Sequence, residues 1–168
     1  MEDFPELYTK RLHLRKIQFE DLTALVKHAN NKKIADRIIN IPHPYREPDA
    51  AFRISFVVKG FKSKTRYVFA IILESNQEMI GEISLHFLDK DQRHAQLAYW
   101  IGEPFWNKGI ATEASKAVIQ FGVEDLNLDL IYADCDTDNI ASQKVLINSG
   151  MTEQPQNGKL RLFKITKR

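Results

Sequence analysis

The sequence has few of the features that mark secreted, membrane-spanning or nucleic-acid-binding proteins. Its single cysteine, Cys135, cannot close an internal disulfide and favours a reducing compartment. No apolar run approaches the roughly 20 residues that a membrane helix needs, and the opening MEDFPELYTKRLHLRK lacks the basic-then-apolar order of a signal peptide. With 24 basic and 22 acidic residues, the net charge of +2 gives no argument for a nucleic-acid or membrane partner. We therefore expect a cytoplasmic protein.

Several familiar site motifs are also missing. The sequence has no GxGxxG for a dinucleotide fold and no GK[ST] for a P-loop. No Ser-His-Asp or Cys-His arrangement stands out for nucleophilic catalysis. The histidines lack the spacing of a metal site, so no metal is expected; they are His13, His28, His43, His86 and His94.

What is present suits one globular domain over residues 1–168. Hydrophobic residues make up 43% of the chain and charged residues 27%, which are ordinary values, and the length suits one substantial core. There is no repeat, low-complexity tract or linker. A proline-rich stretch, NIPHPYREPD at Asn40–Asp49, predicts a loop because proline removes backbone donors and disfavours helix before it.

Hydrophobic periodicity predicts a mixed α and β fold. Strands are predicted within TKRLHLRKI, at Tyr67–Glu74, Glu78–Asp89, Arg93–Gly102 and Leu128–Cys135, and within KLRLFKITK. Helices are predicted within FEDLTALVKHAN, NNKKIADRIIN and DAAFRISFVVKGF, at Ile110–Leu126, and within NIASQKVLINSG. The three consecutive strands form an antiparallel meander with turns at SNQE and DKDQ. The strand–helix–strand that follows needs parallel pairing or a strand that diverges from its neighbour.

The stretch FWNKGIATEA, Phe105–Ala114, joins the last meander strand to a helix. The first N–H groups of a helix have no partner within it, and with the helix dipole they attract an anion. Gly109 has no Cβ and Ala111 almost none, so an anion can approach the backbone, and Lys108 adds positive charge. The stretch therefore predicts a phosphate or pyrophosphate site. The alternative is that Gly109 is only a turn residue and Lys108 is solvated.

Two segments resemble the signature motifs of the GNAT acetyltransferase superfamily. YWIGEPFWNKGIATEA resembles its acetyl-CoA motif [RQ]-x-x-G-x-[GA], with Trp106 in place of the usual Arg or Gln. DTDNIASQKVLINSGM resembles its N-x-x-S-x-x-x-x-x-x-x-G-[FM] helix, and the resemblance is most specific over Gln96–Met151. The Trp and the opening TKRLHLRKIQFEDL are similar to the subgroup that acetylates N-terminal residues of ribosomal proteins. The resemblance implies an α+β fold, with a mostly antiparallel sheet of about six or seven strands, splayed in the middle, and about four flanking helices.

The resemblance also implies acetyl-CoA as cosubstrate and a set of residues that bind it. The pyrophosphate would be held by the backbone N–H groups of Asn107, Lys108, Gly109, Ile110, Ala111 and Thr112. The strand edge at Tyr99, Trp100 and Ile101 would pair with the amide groups of pantetheine. A backbone N–H near Trp100 or Ile101 would stabilise the oxyanion. The same strand is implied to carry a bulge and to splay from Ile131–Cys135.

Two residues of the second motif have both a structural and a functional interpretation. Asn139 either caps the following helix or hydrogen-bonds the pantetheine arm. Ser142, one helical turn on, either protonates the departing CoA thiolate, as the resemblance implies, or is an ordinary helix serine. Gly150 before Met151 fits a left-handed helix C-cap, and Cys135 fits a small buried residue.

The general base is the least determined part of the site. Glu82, Ser84 and His86 share one face of their strand. Glu82 is the first candidate and His86 the second, and the alternative for both is a plain solvent-facing residue. An α-amine acceptor would need little help from a base, because its pKa is about 7.8 against about 10.4 for lysine.

The resulting hypothesis is an N-acetyltransferase that moves acetyl from acetyl-CoA to a primary amine. The acceptor is either the N-terminal α-amine of a protein, such as the ribosomal proteins that the subgroup resemblance implies, or a small amine. Small amines of this kind include antibiotics, polyamines and amino acids. A non-catalytic acyl-CoA-binding module and a fold without any cofactor are the alternatives from other classes. Near the acceptor entrance, Lys32, Lys33, Arg37 and Arg46 form either a basic rim or scattered solvated charges. The last strand and exposed sheet edges also predict a homodimer.

Overall fold

The computed structural model describes residues 3–87, 91, 93–155 and 158–167. Within them, eight strands form one sheet in the order β1-β2-β3-β4-β5-β6-β8-β7. The strands are β1 Leu7–Tyr8, β2 Leu12–Lys16, β3 Arg66–Leu73, β4 Glu78–Phe87, β5 His94–Ile101, β6 Leu130–Asp136, β7 Thr152–Glu153 and β8 Leu160–Thr166. The helices are α1 Leu22–Ala29, α2 Lys32–Ala35, α3 Glu47–Lys62, α4 Ile110–Glu124 and α5 Ile140–Asn148, with short 3-10 turns at Phe19–Asp21 and Glu103–Phe105.

The α+β fold predicted from the sequence is confirmed. Its five helices match the five predicted segments, one more than the resemblance implied, and two strands are additional. The additional strands, β1 and β7, have two residues each, which is too short for an alternating pattern to show in the sequence. Both lie at the sheet edges. The last predicted strand, β8, lies between β6 and β7. In the described residues β7 pairs with it only at Phe163 and Lys164, and the homodimer stays a prediction.

The predicted helix within DAAFRISFVVKGF is α3, which begins at Glu47. Pro48 lies in its first turn, where the missing N–H costs nothing. The Asp49 carboxylate accepts a hydrogen bond from the Arg46 N–H at 2.8 Å, which caps the helix start. The cap therefore ends the proline loop and begins the helix that carries Arg53. None of the helices within the described ranges is long and apolar enough to cross a membrane.

Helices cover both faces of the sheet and divide the core into two layers. The helices α1 to α3 pack on one face, where Ile54 and Val57 meet Val68 and Ala70. The helices α4 and α5 pack on the other face. Because the hypothesis from the sequence places the acceptor on the side of the first helices and the proline loop, we call these the acceptor face and the cofactor face. Because both faces are covered, β4 is buried along most of its length, including its polar residues.

The order of strands produces one parallel contact in an otherwise antiparallel sheet. The strands β1 to β5 pair antiparallel in sequence, which confirms the meander. The helix α4 then crosses over, and β6 pairs parallel with β5. Only Asp91 of the turn predicted at residues 89–92 lies within the described residues. The last two residues predicted for the preceding strand, 88 and 89, lie outside them.

Candidate functional site

The loop between β5 and α4 forms a turn with two left-handed residues. Asn107 has φ 59° and Gly109 has φ 74°, a conformation that suits glycine and that asparagine tolerates. The first backbone bond of α4 runs from the Glu113 N–H to the Gly109 carbonyl at 3.0 Å. The N–H groups that precede Glu113 therefore lie at the open, electropositive end of the helix.

Contacts from distant parts of the chain hold this turn in place. Arg11 donates from Nη1 to the Lys108 carbonyl at 2.8 Å and from Nε to Glu113 at 2.7 Å. Thr9 donates to the other oxygen of Glu113 at 2.6 Å. Burial alone would raise the pKa of the Glu113 carboxyl, but the hydrogen bonds from Thr9 and Arg11 outweigh it and hold that pKa below its usual range. Sequence reasoning missed Arg11 and Glu113, because nothing local links residues that are 102 positions apart.

A gap opens between β5 and β6 beside the turn. In the described part of the chain the strands pair only at His94–Leu130, Ala95–Ile131 and Gln96–Tyr132. Beyond these pairs, β5 stays with β4 as far as Ile101, and β6 stays with β8 as far as Asp136. The splay expected for the sheet is therefore present. The implied bulge is not seen in the β4–β5 register, and a register shift lies instead between Ile71 and Ile72 in the β3–β4 pairing.

Three polar side chains meet on the cofactor face at this gap. The hydroxyl groups of Tyr99 and Ser142 lie 2.8 Å apart. Burial raises the pKa of Tyr99 to about 12, so its phenol stays protonated at neutral pH. Cys135 is buried beside them, and burial raises the pKa of its thiol. The resemblance implied a role only for the backbone of Tyr99, although strand alternation would place its side chain on this face.

Asn139 performs the capping role that the sequence suggested for it. Its Oδ1 accepts a hydrogen bond from the Ser142 N–H at 3.2 Å at the start of α5. At the other end of the helix, Gly150 has φ 91° and the Met151 N–H bonds to the Leu146 carbonyl at 3.1 Å. This is the left-handed C-cap predicted from the sequence.

On the acceptor face, Glu82 is not the solvent-facing residue considered as its alternative. It is 3% exposed, because α3 covers this face, and Arg53 from α3 binds it at 2.6 Å and 3.1 Å. His86, the second candidate base, lies 2.9 Å from the hydroxyl of Ser84. Burial, followed by the charges of Arg66 and Arg53, lowers the pKa of His86 to about 4.

The basic rim, one of the two alternatives from the sequence, is largely neutralised by carboxylates. Lys32 pairs with Asp36, Lys33 pairs with Glu103, and Arg37 pairs with both Asp136 and Asp138. The Arg37 bridges join the loop after α2 to the loop after β6, at the acceptor side of the gap. A net basic entrance therefore does not follow from the described contacts.

Comparison with known proteins decides the family. The acetyltransferase (GNAT) domain family matches residues 11–152. The chain belongs to the GNAT acetyltransferase family. It is 30% identical over 141 residues to an uncharacterised N-acetyltransferase of Bacillus licheniformis, an alignment that covers 83% of this chain and 78% of that relative.

Other GNAT relatives of this chain carry names that refer to ribosomal proteins. The ribosomal-protein-serine acetyltransferase of Escherichia coli (strain K12) is 26% identical over 84 residues, covering 50% of this chain and 47% of that relative. A solved ribosomal L7/L12 α-N-protein acetyltransferase, in complex with coenzyme A, matches with a TM-score of 0.83 and 16% identity over 97% of this chain and 98% of that one. At this identity the likeness shows the GNAT fold alone. In the described ranges no group of His, Cys, Asp and Glu is arranged to hold a metal ion.

Proposed function

We propose that this GNAT-family chain transfers acetyl from acetyl-CoA to the α-amine of a protein N-terminus. The observation that carries the proposal is the left-handed turn at Asn107 and Gly109, which lies directly beside the gap between β5 and β6. The turn presents backbone donors suited to a pyrophosphate. The gap exposes a strand edge suited to the peptide-like pantetheine arm. Acetyl-CoA carries both groups in one molecule.

Each part of the site has a defined task in this proposal. The backbone N–H groups from Asn107 to Thr112 hold the pyrophosphate, and the edge of β5 at Tyr99, Trp100 and Ile101 pairs with pantetheine. The amide nitrogen of Asn139 can donate to the same arm while its oxygen caps α5. Of these residues, Asn107, Lys108 and Gly109 lie in the turn, and Ile110, Ala111 and Thr112 form the first turn of α4.

The chemistry requires charge stabilisation and two proton transfers. A backbone N–H near Trp100 or Ile101 stabilises the charge that develops on the acetyl oxygen. Ser142 donates a proton to the departing thiolate. The Tyr99 hydroxyl, 2.8 Å from the Ser142 hydroxyl, can supply Ser142 with a new proton. Glu82, the first candidate base from the sequence, lies on the acceptor face and is bound by Arg53.

Two arguments favour an α-amine as acceptor. Relatives named as ribosomal-protein acetyltransferases support a protein substrate. The carboxylate of Glu82, the first candidate base, is also bound by Arg53. An α-amine, with a pKa of about 7.8, needs less help to lose its proton than lysine does. The cytoplasmic location expected from the sequence stays a prediction.

Thermal unfolding with and without acetyl-CoA tests the cosubstrate. A ligand at 100 times its Kd stabilises the folded state by about 2.7 kcal/mol, and each kcal/mol moves the midpoint by roughly 2–4 °C at this size. We expect a rise of about 5–10 °C. No shift at millimolar acetyl-CoA would contradict the proposal.

Turnover tests the acceptor. We would incubate the protein and acetyl-CoA with peptides that begin with Ser or Ala, with the same peptides already blocked at the N-terminus but carrying lysine, and with spermidine. Mass spectrometry should locate the acetyl group on the free N-terminus. Acetylation of spermidine or lysine alone would contradict the α-amine acceptor, and acetyl-CoA binding without any turnover would favour the non-catalytic module.

A further inference from the structure

The base candidates suggested by the sequence are held away from the gap. Glu82 pairs across strands with Trp100, so the whole of β5 separates β4 from β6. Its carboxylate is bound by Arg53 and buried. His86 pairs with Gln96, where β5 and β6 are still closed. Its pKa of about 4, lowered first by burial, makes it a weak base.

Asp134 lies where the two strands begin to diverge. The last β5–β6 pair is Gln96–Tyr132, and Asp134 is two residues further along β6. Ala133 and Cys135 are buried in the core on the cofactor face, so by strand alternation Asp134 points toward the acceptor face. The Gln96 amide nitrogen lies 3.4 Å from its Oδ2, which holds the carboxylate across the start of the gap.

The charges around Asp134 leave it without a cationic partner among the described residues. The neighbouring carboxylate, Asp136, is bound by Arg37 at 2.8 Å. On β8, Leu162 lies opposite Asp134, and Lys164 lies opposite Tyr132, two pairs along the strands. Asp134 is exposed at its outer end, and the partial burial of its carboxyl group raises its pKa, to which the charge of Asp136 adds. Burial, followed by the charge of Asp134, likewise raises the pKa of Tyr132.

We propose that Asp134 is the general base that takes the proton from the attacking amine, and that Glu82 instead positions Arg53. The inference rests on the proposed transfer from acetyl-CoA. The amine nitrogen bonds to the acetyl carbon and its proton passes to the Asp134 carboxylate, directly or through one water. The C–S bond breaks and the thiolate takes a proton from Ser142. Asp134 then releases its proton to solvent, and Ser142 takes one from solvent, so both groups return to their starting states. Asp134 at the acceptor side of the gap can therefore take the amine proton, which Glu82 and His86 on β4 lie too far from the gap to accept.

The test compares Asp134→Asn with two other carboxylate variants. Asp136→Asn is the matched control, because it lies on the same strand and face but is bound by Arg37. Glu82→Gln tests the alternative base. Rates of CoA release with a Ser-initiated octapeptide, measured from about pH 6 to 10, should show Asp134→Asn reduced about 100-fold in kcat/KM near pH 7. The loss should shrink at high pH, where the amine deprotonates unaided, while Asp136→Asn stays within about threefold of the parent.

Two further measurements separate catalysis from folding. Asp134→Asn should keep the acetyl-CoA thermal shift of the parent, and Asp134→Glu should restore the shape of the pH profile. An Asp134→Asn variant with the parent's kcat/KM and pH profile overturns the inference, as does alkaline rescue confined to Glu82→Gln. If the parent binds acetyl-CoA but releases no CoA with any free amine supplied, the proposed function itself fails, and the base assignment fails with it.

Discussion

The indole Nε1 of Trp106 donates a 2.6 Å hydrogen bond to the carbonyl oxygen of Ile101. The bond ties the turn before α4 to the end of β5. It therefore fixes the position of the turn proposed to bind the pyrophosphate relative to the strand edge proposed to bind pantetheine. The Lys33 ammonium lies 5.9 Å from the centroid of the Trp106 ring, which is within cation–π range. Trp106 therefore anchors the turn through its own hydrogen bond, although the motif usually has Arg or Gln at this position.

Trp106→Phe should weaken acetyl-CoA binding by removing that donor while keeping an aromatic ring. One hydrogen bond contributes about 1 kcal/mol, which corresponds to roughly a fivefold higher Kd. Isothermal titration calorimetry measures the change. Phe19→Leu, which alters an exposed aromatic on the 3-10 turn after β2, is the control and should leave Kd unchanged. Equal Kd values for Trp106→Phe and the parent would contradict the anchoring role.

Gly109→Ala should reduce both stability and acetyl-CoA affinity. Its φ of 74° is strained for alanine by about 1 kcal/mol, although a Cβ there would meet Arg11 only at 3.6 Å. We expect a midpoint about 2–4 °C lower. Gly150→Ala carries similar strain at φ 91° but lies at the end of α5, so it should lose stability alone. An equal loss of acetyl-CoA affinity in both variants would contradict a specific role of Gly109 in binding acetyl-CoA.

Ser142→Ala should slow turnover without abolishing it. A thiolate is a fair leaving group, since a free thiol has a pKa of about 8.5, and we expect kcat to fall about tenfold. Tyr99→Phe should have a smaller effect, because it removes only the hydroxyl behind Ser142. Ser149→Ala, on the same helix, removes a hydroxyl that bonds the Val145 carbonyl and should leave kcat unchanged. A kcat for Ser142→Ala equal to the parent's at every pH would exclude the proton-donor role.

The Glu113 carboxyl should make stability depend on acid pH. Its pKa is held below the usual 4.5 in the folded state, so the unfolded chain binds the proton more readily. The stabilisation is therefore complete above about pH 4.5 and is lost as the pH falls through the folded-state pKa. The midpoint difference between the parent and Glu113→Gln should be constant from about pH 8 to 6 and shrink below about pH 4.5. A difference that grows on acidification would reverse the expected sign.

Glu82→Gln should destabilise the fold by leaving the Arg53 guanidinium without its carboxylate. Breaking a buried ion pair costs about 3 kcal/mol, or roughly 6–12 °C in the midpoint. The double variant Glu82→Gln/Arg53→Met should recover part of this loss, because no uncompensated charge remains. A complete double-mutant cycle of thermal midpoints measures the coupling. Additive effects would show that the pair at 2.6 Å contributes nothing to stability.

Much of the fold could be predicted because its signals are local. The alternation in β4, the spacing of apolar residues in α4 and the Gly150 C-cap each depend on residues close in sequence. The two-residue strands β1 and β7 could not be predicted, since pairing with a neighbouring strand, rather than a pattern, defines them. The burial of Glu82 could not be predicted either, because strand alternation does not show that α3 covers the acceptor face of the sheet.

The sequence by itself determined that Gly109 opens a helix and that Ser142 follows Asn139 by one helical turn, because both depend on backbone geometry over a few residues. Only the tertiary structure decided what surrounds them. It brought Arg11 to the turn, the Tyr99 hydroxyl to Ser142, Arg53 to Glu82 and Asp134 to the divergence of β5 and β6. Such contacts join residues tens of positions apart. They form only when helices and strands pack, so no local pattern could specify them.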